Sequence, residues 1–257
     1  MTTTSLPPAA TTSRPPAATV ASTAAAEWIK LRSLRSTWWY VGGSAAIMAL
    51  VAMLESDDGD PETVLAVSVA TAALSNFLQY TLAAFAMLAI TGEFATRSIT
   101  VTFACTPSRT RVMLAKALVV GSTVLLVGTG VAVLGVGVAA IRFGELGALD
   151  STHVADILAM GLYLSLLAVL ALGIGTLVRR TAGGLAILVL LLLVVPEMLR
   201  LVSERLGAPV INTIADYTPA AAGWRLMSGD WEYGLVLAAW ATLTIAAGIW
   251  ALRTRDV

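Results

Sequence analysis

The chain alternates between long apolar segments and short polar ones, and this pattern predicts six membrane-spanning helices. A helix rises about 1.5 Å per residue, so roughly 20 consecutive apolar residues are needed to cross about 30 Å of hydrocarbon. The runs that meet this requirement are Thr37 to Leu54, Thr63 to Ile90, Ala117 to Ile141, Ile157 to Val178, Ala182 to Leu201 and Tyr233 to Leu252. The predicted fold class is therefore an all-α integral membrane protein with six transmembrane helices.

The fifth predicted span contains a defect, because Pro196 is followed by Glu197. About 14 apolar residues precede the proline, which gives roughly 21 Å of helix and is too short for a full crossing. We expect this span either to break here or to dip into the membrane and continue as short helices on the far side.

The composition agrees with a membrane protein. Of 257 residues, 58% are hydrophobic and only 12% are charged, about half the charged share of an average soluble chain. Residues 1–26 differ from the rest, since they are mostly Thr, Ala, Pro and Ser with a single charge. They predict a disordered tail before a six-span domain over residues 27–257. No basic segment leads into a compact apolar core there, so we do not expect a secretory signal.

The basic residues predict the orientation of the spans, because Lys and Arg are retained on the cytoplasmic side of a membrane. With six spans and a cytoplasmic N-terminus, 12 of the 16 basic residues fall in cytoplasmic segments and four in outer ones. The first outer loop, ESDDGDPE, is purely acidic. We therefore expect both termini in the cytoplasm, in a multi-pass protein of the cell membrane.

The sequence lacks the motifs of several enzyme classes. It has one cysteine, Cys105, and one histidine, His153, which are too few for an internal disulfide or a typical zinc site. No Gly-x-x-x-x-Gly-Lys-Ser/Thr loop occurs, so we expect no ATPase activity in this chain. The formal net charge of zero gives no reason to expect nucleic-acid binding. Glu93 and Glu197 lie at opposite ends of their spans, too far apart to act as a catalytic pair in an intramembrane enzyme.

Polar and small residues inside the spans predict contacts between helices. Asn76, Gln79 and Tyr80 lie in the second span, where buried amides usually hydrogen-bond to a neighbouring helix. We favour this packing role over contact with a substrate. In the third span, Gly128 and Gly135 predict that another helix approaches closely.

The segment before the first span, AEWIKLRSLRSTWWY, combines aromatic and basic residues. Trp28, Leu31 and Leu34 recur every three residues, basic residues lie between them, and a Trp-Trp-Tyr run follows. Such a segment is suited to lie along the membrane interface, with its aromatic rings at headgroup level and its basic side chains reaching the phosphates. The alternative is an ordinary basic flank that only sets the topology.

The polar stretch between the second and third spans reads TGEFATRSITVTFACTPSRTRVMLAK. Its first charged residue is Glu93 at the end of one span, a segment with helical potential (Thr96 to Ala104) and Pro107 follow, and its last residue, Lys116, enters the next span. Glu93 and Lys116 flank the same membrane boundary, so each is placed to neutralise the other. On these grounds the stretch is either a plain connector or a compact element clamped to two helix ends.

The same stretch resembles the cytoplasmic loop of ABC transporter permeases of the type-2 exporter class. That loop runs Glu, a Gly-Thr-Ile-like triplet, then Pro-x-Arg and a Lys that enters the third span. The residues that match it here are Glu93, Ile99, Pro107, Arg109 and Lys116. Arg97 stands where the family has glycine.

Two further segments carry the resemblance. The segment EWIKLRSLRSTWW is similar to the Glu-x-x-Lys-Leu-x-Ser-x-Arg opening of these permeases, matched here by Glu27, Lys30, Leu31, Ser33 and Arg35. The segment NTIADYTPAAAGW is similar to the short external helices that precede the family's sixth span. The resemblance covers roughly residues 27–255.

The resemblance implies the arrangement and the partners of this chain. It implies short external helices between spans five and six and an interfacial elbow helix that contains Glu27, Trp28, Lys30, Leu31 and Arg35. It also implies a cytoplasmic coupling helix within residues 92–111 that binds a separate ABC ATPase, with coupling residues Glu93, Arg97, Ile99, Pro107, Arg109 and Lys116. Two permease chains, as a homo- or heterodimer, would form the translocation path, and ATP and Mg²⁺ would bind to the ATPase.

The alternative function is a membrane immunity or binding protein that sequesters a membrane-active peptide without ATP-driven transport.

Overall fold

The computed structural model describes residues 19–58, 66–106, 108–143 and 151–254. Within these ranges all regular secondary structure is helical, which confirms the predicted all-α fold class. The helices are α1 (Val20–Ser33), α2 (Arg35–Asp58), α3 (Ala66–Ala73), α4 (Gln79–Ala95), α5 (Ser98–Cys105), α6 (Arg109–Phe143), α7 (Ser151–Val178), α8 (Thr181–Val189), α9 (Val195–Leu206), α10 (Pro209–Asp216), α11 (Pro219–Met227) and α12 (Tyr233–Thr254). Two π-helical segments, Leu74–Leu78 and Leu190–Val194, join α3 to α4 and α8 to α9.

Six segments of the described chain are long and apolar enough to cross a membrane, as the hydrophobic pattern predicted. We call them spans 1 to 6, and they cover Arg35–Leu54, Ala70–Ala95, Arg109–Arg142, His153–Val178, Thr181–Leu206 and Tyr233–Thr254. Spans 1, 3, 4 and 6 lie in α2, α6, α7 and α12, whereas spans 2 and 5 each contain one of the π-helical segments. These segments make the chain a multi-pass membrane protein.

Helix α7 lies at the centre of the bundle. It packs along α4, α6 and α12, and large side chains such as Tyr163 and Leu164 are almost completely buried there. A helix that is apolar on all sides is expected at such a central position. Spans 1 and 5 are mostly exposed, so they lie at the periphery of the bundle.

The glycines of span 3 lie against neighbouring helices, as predicted. A Cβ atom at Gly128 would lie 2.9 Å from the Leu164 side chain in α7, and one at Gly135 would lie 2.5 Å from the Met48 sulfur in α2. Both distances are shorter than a van der Waals contact, so the absence of a side chain permits the close packing of α6 against α7 and α2.

Span 5 does not break at Pro196, which corrects one sequence-based expectation. The helix passes through the π-helical segment Leu190–Val194, where the Val195 N–H donates to the Leu190 carbonyl five residues earlier. Pro196 follows in the first turn of α9. A proline inside a regular α-helix leaves one carbonyl without its donor and clashes with the preceding turn. The wider π turn changes the hydrogen-bond pattern at this point, so the helix continues to Leu206. The short helices expected after it are present as α10 and α11.

Helix α1 begins at Val20, earlier than the predicted end of the N-terminal tail at residue 26. Thr19 and Ser22 form a capping box, in which the Ser22 N–H donates to Thr19 Oγ1 (3.2 Å) and the Thr19 N–H donates to Ser22 Oγ (2.9 Å). Such a pair satisfies backbone donors that have no partner within the helix. Residues 20–26 are therefore helical, and residues 1–18 lie outside the described residues.

Helix α1 packs against α6 through a stripe formed by Thr23, Glu27 and Leu31. Trp28 and Leu34 are exposed. The apolar face that the sequence placed on Trp28, Leu31 and Leu34 is therefore divided, since Leu31 contacts protein while the other two side chains face outward.

Candidate functional site

Four charged side chains form one ion-pair cluster at the end of the bundle where α5 lies. Glu27 and Lys30 belong to α1, Glu93 to the last turn of α4, and Lys116 to α6. Lys116 Nζ contacts Glu27 Oε2 and lies 3.0 Å from Glu93 Oε1. Lys30 Nζ lies 2.7 Å from Glu27 Oε1 and 3.3 Å from Glu93 Oε1. Each lysine therefore bridges both carboxylates, and the cluster joins α1, α4 and α6.

Most of this cluster is buried. The exposed side-chain fraction is 4% for Lys116, 5% for Glu27 and 14% for Glu93, whereas Lys30 is 44% exposed. A buried charge without a partner costs several kcal/mol, so the two acids and two bases stabilise one another mainly by avoiding that penalty. Glu93 is the less fully hydrogen-bonded carboxylate, because its Oε2 is buried without a partner among the described residues.

The pKa of Glu27 is lowered and the pKa of Lys30 is raised, and both shifts favour the charged form of the side chain. Burial by itself raises the pKa of the Glu27 carboxyl, but the charge and hydrogen bond of Lys116, assisted by Lys30, hold it below its ordinary value. Burial lowers the pKa of Lys30, but its hydrogen bond to Glu27 and the charge of Glu93 raise it above its ordinary value. Both α1 residues therefore stay ionised near neutral pH.

The expected pairing of Glu93 with Lys116 is confirmed, but the sequence did not indicate that Glu27 and Lys30 join it. A Glu and a Lys three residues apart are a signal for a local pair on a helix. The contact between Glu27 and Lys116 spans 89 positions of the chain. It depends on the packing of α1 against α6, for which the local sequence contains no signal.

Helix α5 is attached both to the cluster and to the apolar core. Lys30 Nζ donates to Thr102 Oγ1 at 3.2 Å. Ile99 is only 2% exposed. It packs in a small group of buried side chains from spans 2, 3, 4 and 6, namely Ile90, Met113, Leu172, Ile245 and Leu252. The helix expected within the polar stretch is therefore present, and it is anchored to four spans.

Arg97 lies in the turn between α4 and α5 and has a left-handed backbone, with φ 56° and ψ 12°. This conformation costs a non-glycine residue about 1–2 kcal/mol, whereas glycine adopts it readily. The turn is supported by a hydrogen bond of 3.0 Å between the hydroxyls of Thr96 and Ser98. The Arg97 side chain is exposed beside α5.

Arg109, the first residue of α6, contacts the end of α12. Its guanidinium donates to the Leu252 carbonyl and lies 5.6 Å from the centre of the Phe103 ring in α5. Arg179, which follows α7, donates to the carbonyl of the residue before Leu252 at 3.4 Å and lies 5.4 Å from the centre of the Phe94 ring. Carbonyls in the last turn of a helix lack partners within that helix, so cations there are stabilising. The two arginines thereby connect α12 to aromatic rings on α5 and α4.

The other predicted site residues lie outside this cluster. Trp28 and Arg35 are exposed and point away from the helix bundle, whereas Leu31 is buried against α6. Pro107 lies outside the described residues. A groove of about 290 Å³ separates α1 from α5 beside the cluster, and its lining includes Ala26, Lys30, Val101, Thr102 and Cys105.

A second cavity, of about 540 Å³, lies between spans 2 and 5 next to both π-helical segments. Its lining includes the polar residues Asn76, Gln79, Tyr80, Glu197 and Arg200 and the aromatic residue Trp224. The Gln79 side-chain oxygen also accepts a hydrogen bond from the Tyr163 hydroxyl in α7, which confirms the packing role predicted for this amide. Asn76 is exposed and faces the cavity. Because π-helical segments occur frequently at functional sites, this cavity is a candidate ligand site.

Within the described ranges, no group of three or more histidine, cysteine or carboxylate side chains is placed to hold a metal ion. Comparison of the chain with protein-family models gives no match, and comparison with curated proteins gives none either.

Proposed function

We propose that this chain is the transmembrane permease subunit of an ATP-driven exporter and that α5 couples it to a separate cytoplasmic ABC ATPase. The observation that carries the proposal is the attachment of α5. One short helix contacts the ion-pair cluster through Thr102, the apolar core through Ile99, and the Arg109 side chain through Phe103. A force applied to α5 would therefore reach the ends of several spans at once.

The length of α6 supports access of a partner to α5. This helix has 35 residues, which corresponds to about 52 Å, whereas the hydrocarbon core is about 30 Å thick. The first turns of α6, with α5 beside them, would project from the membrane. In this proposal the ATPase binds to the exposed side of α5 at Val101, to Arg97 in the turn before it, and to the groove between α1 and α5.

The transport cycle follows from the different affinities of ATP for two conformations of the ATPase. ATP and Mg²⁺ bind to the ATPase, whose two conformations hold α5 in different positions. The ion-pair cluster keeps α1, α4 and α6 together, so the displacement of α5 is transmitted to spans 2 and 3. The peripheral spans 1 and 5 provide a surface for a second permease chain.

Arg97 supports the resemblance to type-2 exporter permeases at the position where this sequence departs from the family. The family has glycine there, and Arg97 has the left-handed backbone that glycine favours. The turn at Arg97 therefore has a backbone that a glycine at this position would adopt without strain. The orientation that follows has α1 as the elbow helix and α10 and α11 on the outer side of the membrane.

The cavity between spans 2 and 5 is the candidate contact for the polar part of an amphiphilic substrate. Its volume of about 540 Å³ falls within the range of small-molecule sites. Asn76 and Tyr80 would supply hydrogen bonds there, and Trp224 would supply an apolar surface. The same cavity supports the alternative function, in which the chain sequesters a membrane-active peptide without transport.

Purification from native membranes tests the proposal. The tagged chain should bring an ATPase with it, and ATP turnover of the complex should increase with substrate. An Arg97→Glu variant should lower this turnover, while Arg205→Glu, on exposed α9 at the other end of the bundle, should leave it unchanged. A complex without any ATPase would exclude the exporter. Peptide resistance that persists with a hydrolysis-deficient ATPase would favour sequestration.

A further inference from the structure

We propose that the corner between α1 and α2 is a binding surface for the headgroups of anionic phospholipids. The corner comprises Arg32 and Arg35 together with the exposed residues Leu34, Trp38 and Trp39. The inference depends on membrane insertion alone, so it does not rest on the proposed transport function.

The backbone of the corner is held in one shape. Leu34 has an extended backbone between the two helices, with φ −77° and ψ 121°. The Thr37 hydroxyl donates to the Leu31 carbonyl at 2.7 Å, and the Thr37 N–H donates to the Leu34 carbonyl at 3.1 Å. Thr37 is itself buried. The side chains that flank the corner therefore project from a fixed scaffold.

The corner carries positive charge that no carboxylate of the described residues neutralises. The nearest carboxylate along the chain, Glu27, is occupied by Lys30 and Lys116. Arg32 and Arg35 are exposed, and neither forms an ion pair within the described part of the chain. Two arginines close together, with a planar guanidinium each, are suited to bind phosphate oxygens through paired hydrogen bonds.

The apolar side chains at the corner indicate a lipid rather than a protein partner. Trp38 is 63% exposed and Trp39 is 81% exposed. Both lie within the first five residues of α2, at the beginning of the peripheral span 1. Indole rings at the end of a span prefer the headgroup region of the membrane, and Arg35, about one turn before them, then lies at the depth of the phosphates, with Arg32 preceding it in the last turn of α1. Charge complementarity selects anionic headgroups over zwitterionic ones.

Quenching of tryptophan fluorescence by brominated lipids tests this inference on the full chain in nanodiscs. The probe is brominated phosphatidylglycerol, compared with brominated phosphatidylcholine at the same mole fraction in phosphatidylcholine. The difference between the wild type and Trp38→Phe/Trp39→Phe isolates the signal of the corner. We expect phosphatidylglycerol to be enriched there, by roughly five-fold for each arginine.

Arginine variants decide the outcome. Arg32→Gln/Arg35→Gln should remove the preference for phosphatidylglycerol, and Arg32→Lys/Arg35→Lys should keep most of it. The matched control Arg180→Gln/Arg205→Gln removes two other exposed arginines and should keep the wild-type preference for phosphatidylglycerol. The inference is overturned if both lipids quench the wild type equally, if the glutamine pair keeps the preference, or if the control loses it to the same extent. Size-exclusion profiles verify that each variant is folded.

Discussion

Lys116 Nζ lies 3.0 Å from Glu93 Oε1, and the same ammonium group contacts Glu27 of α1. One buried lysine thus connects the helix before span 1 to the end of span 2 and the beginning of span 3. Because the three side chains are largely buried, neutralisation of the two carboxylates by Lys116 together with Lys30 is a condition for this packing.

Removal of the buried lysine should destabilise the protein strongly. Lys116→Met leaves two largely buried carboxylates that share only Lys30 as a positive partner, so the expected loss is about 3–5 kcal/mol of unfolding free energy. Lys30→Met is the matched control, because Lys30 is 44% exposed and pairs of that kind contribute about 0–1 kcal/mol. Unfolding in detergent measures both variants. Equal losses would mean that burial does not determine the strength of these pairs.

The contribution of Glu27 to stability should depend on pH. Its pKa is lower in the folded chain than its ordinary value, which is about 4.3 in an unfolded chain. The stabilisation is therefore complete above that pH and is lost as the pH falls through the lowered pKa. Unfolding curves of the wild type and Glu27→Gln should converge in acid. A difference that stays constant from neutral pH to about pH 2 would contradict this reasoning.

Lys30 should act at the opposite end of the pH range. Its pKa is raised in the folded chain, so its contribution is complete below the ordinary value of about 10.4 and is lost as the pH rises through the raised pKa. The stability difference between the wild type and Lys30→Met should accordingly be flat near neutral pH and shrink in strong alkali. Glu27→Gln should reduce this dependence, because Glu27 is one of the partners that raise the pKa of Lys30.

Glycine at position 97 should stabilise the turn before α5. Arg97 has φ 56°, and Arg97→Gly removes a backbone penalty of about 1–2 kcal/mol. The same change lowers stability by about 0.5–1 kcal/mol, because glycine has more conformational freedom to lose on folding. The net gain is expected to lie between about 0 and 1.5 kcal/mol. Arg180→Gly is the control, since φ is −134° there. That variant should lose stability, and a loss in Arg97→Gly as well would show that the Arg97 side chain outweighs the backbone term.

Addition of one methyl group to α7 should separate it from α12. A Cβ at Gly173 would lie 2.6 Å from the Thr244 backbone, so Gly173→Ala should cost about 1–3 kcal/mol through overpacking. Gly130 in α6 has no atom within 4 Å of its added Cβ. Gly130→Ala should therefore be neutral or slightly stabilising, by up to about 1 kcal/mol, because alanine favours the helix. Thermal unfolding of the two variants side by side provides the measurement.

The six spans could be predicted from the sequence because hydrophobic length is a local property. The run from Tyr233 to Leu252, for example, became α12 with only small changes at its ends. The helix within the polar stretch was also predicted, and so was the pairing of Glu93 with Lys116, because both residues flank one short connection. Pro196 was misjudged, since a π-helical segment in the preceding turn accommodates the ring without ending the helix.

The sequence by itself determined which segments cross the membrane and where the charged residues interrupt them, because these properties depend on neighbours a few positions away. The tertiary structure alone decided that Glu27 of α1 completes the pair of Glu93 and Lys116, and that Arg109 lies against the last turn of α12. These contacts join residues 89 and 143 positions apart. They depend on which faces of the apolar helices meet, and many faces of similar hydrophobicity are available, so only the packed bundle selects among them.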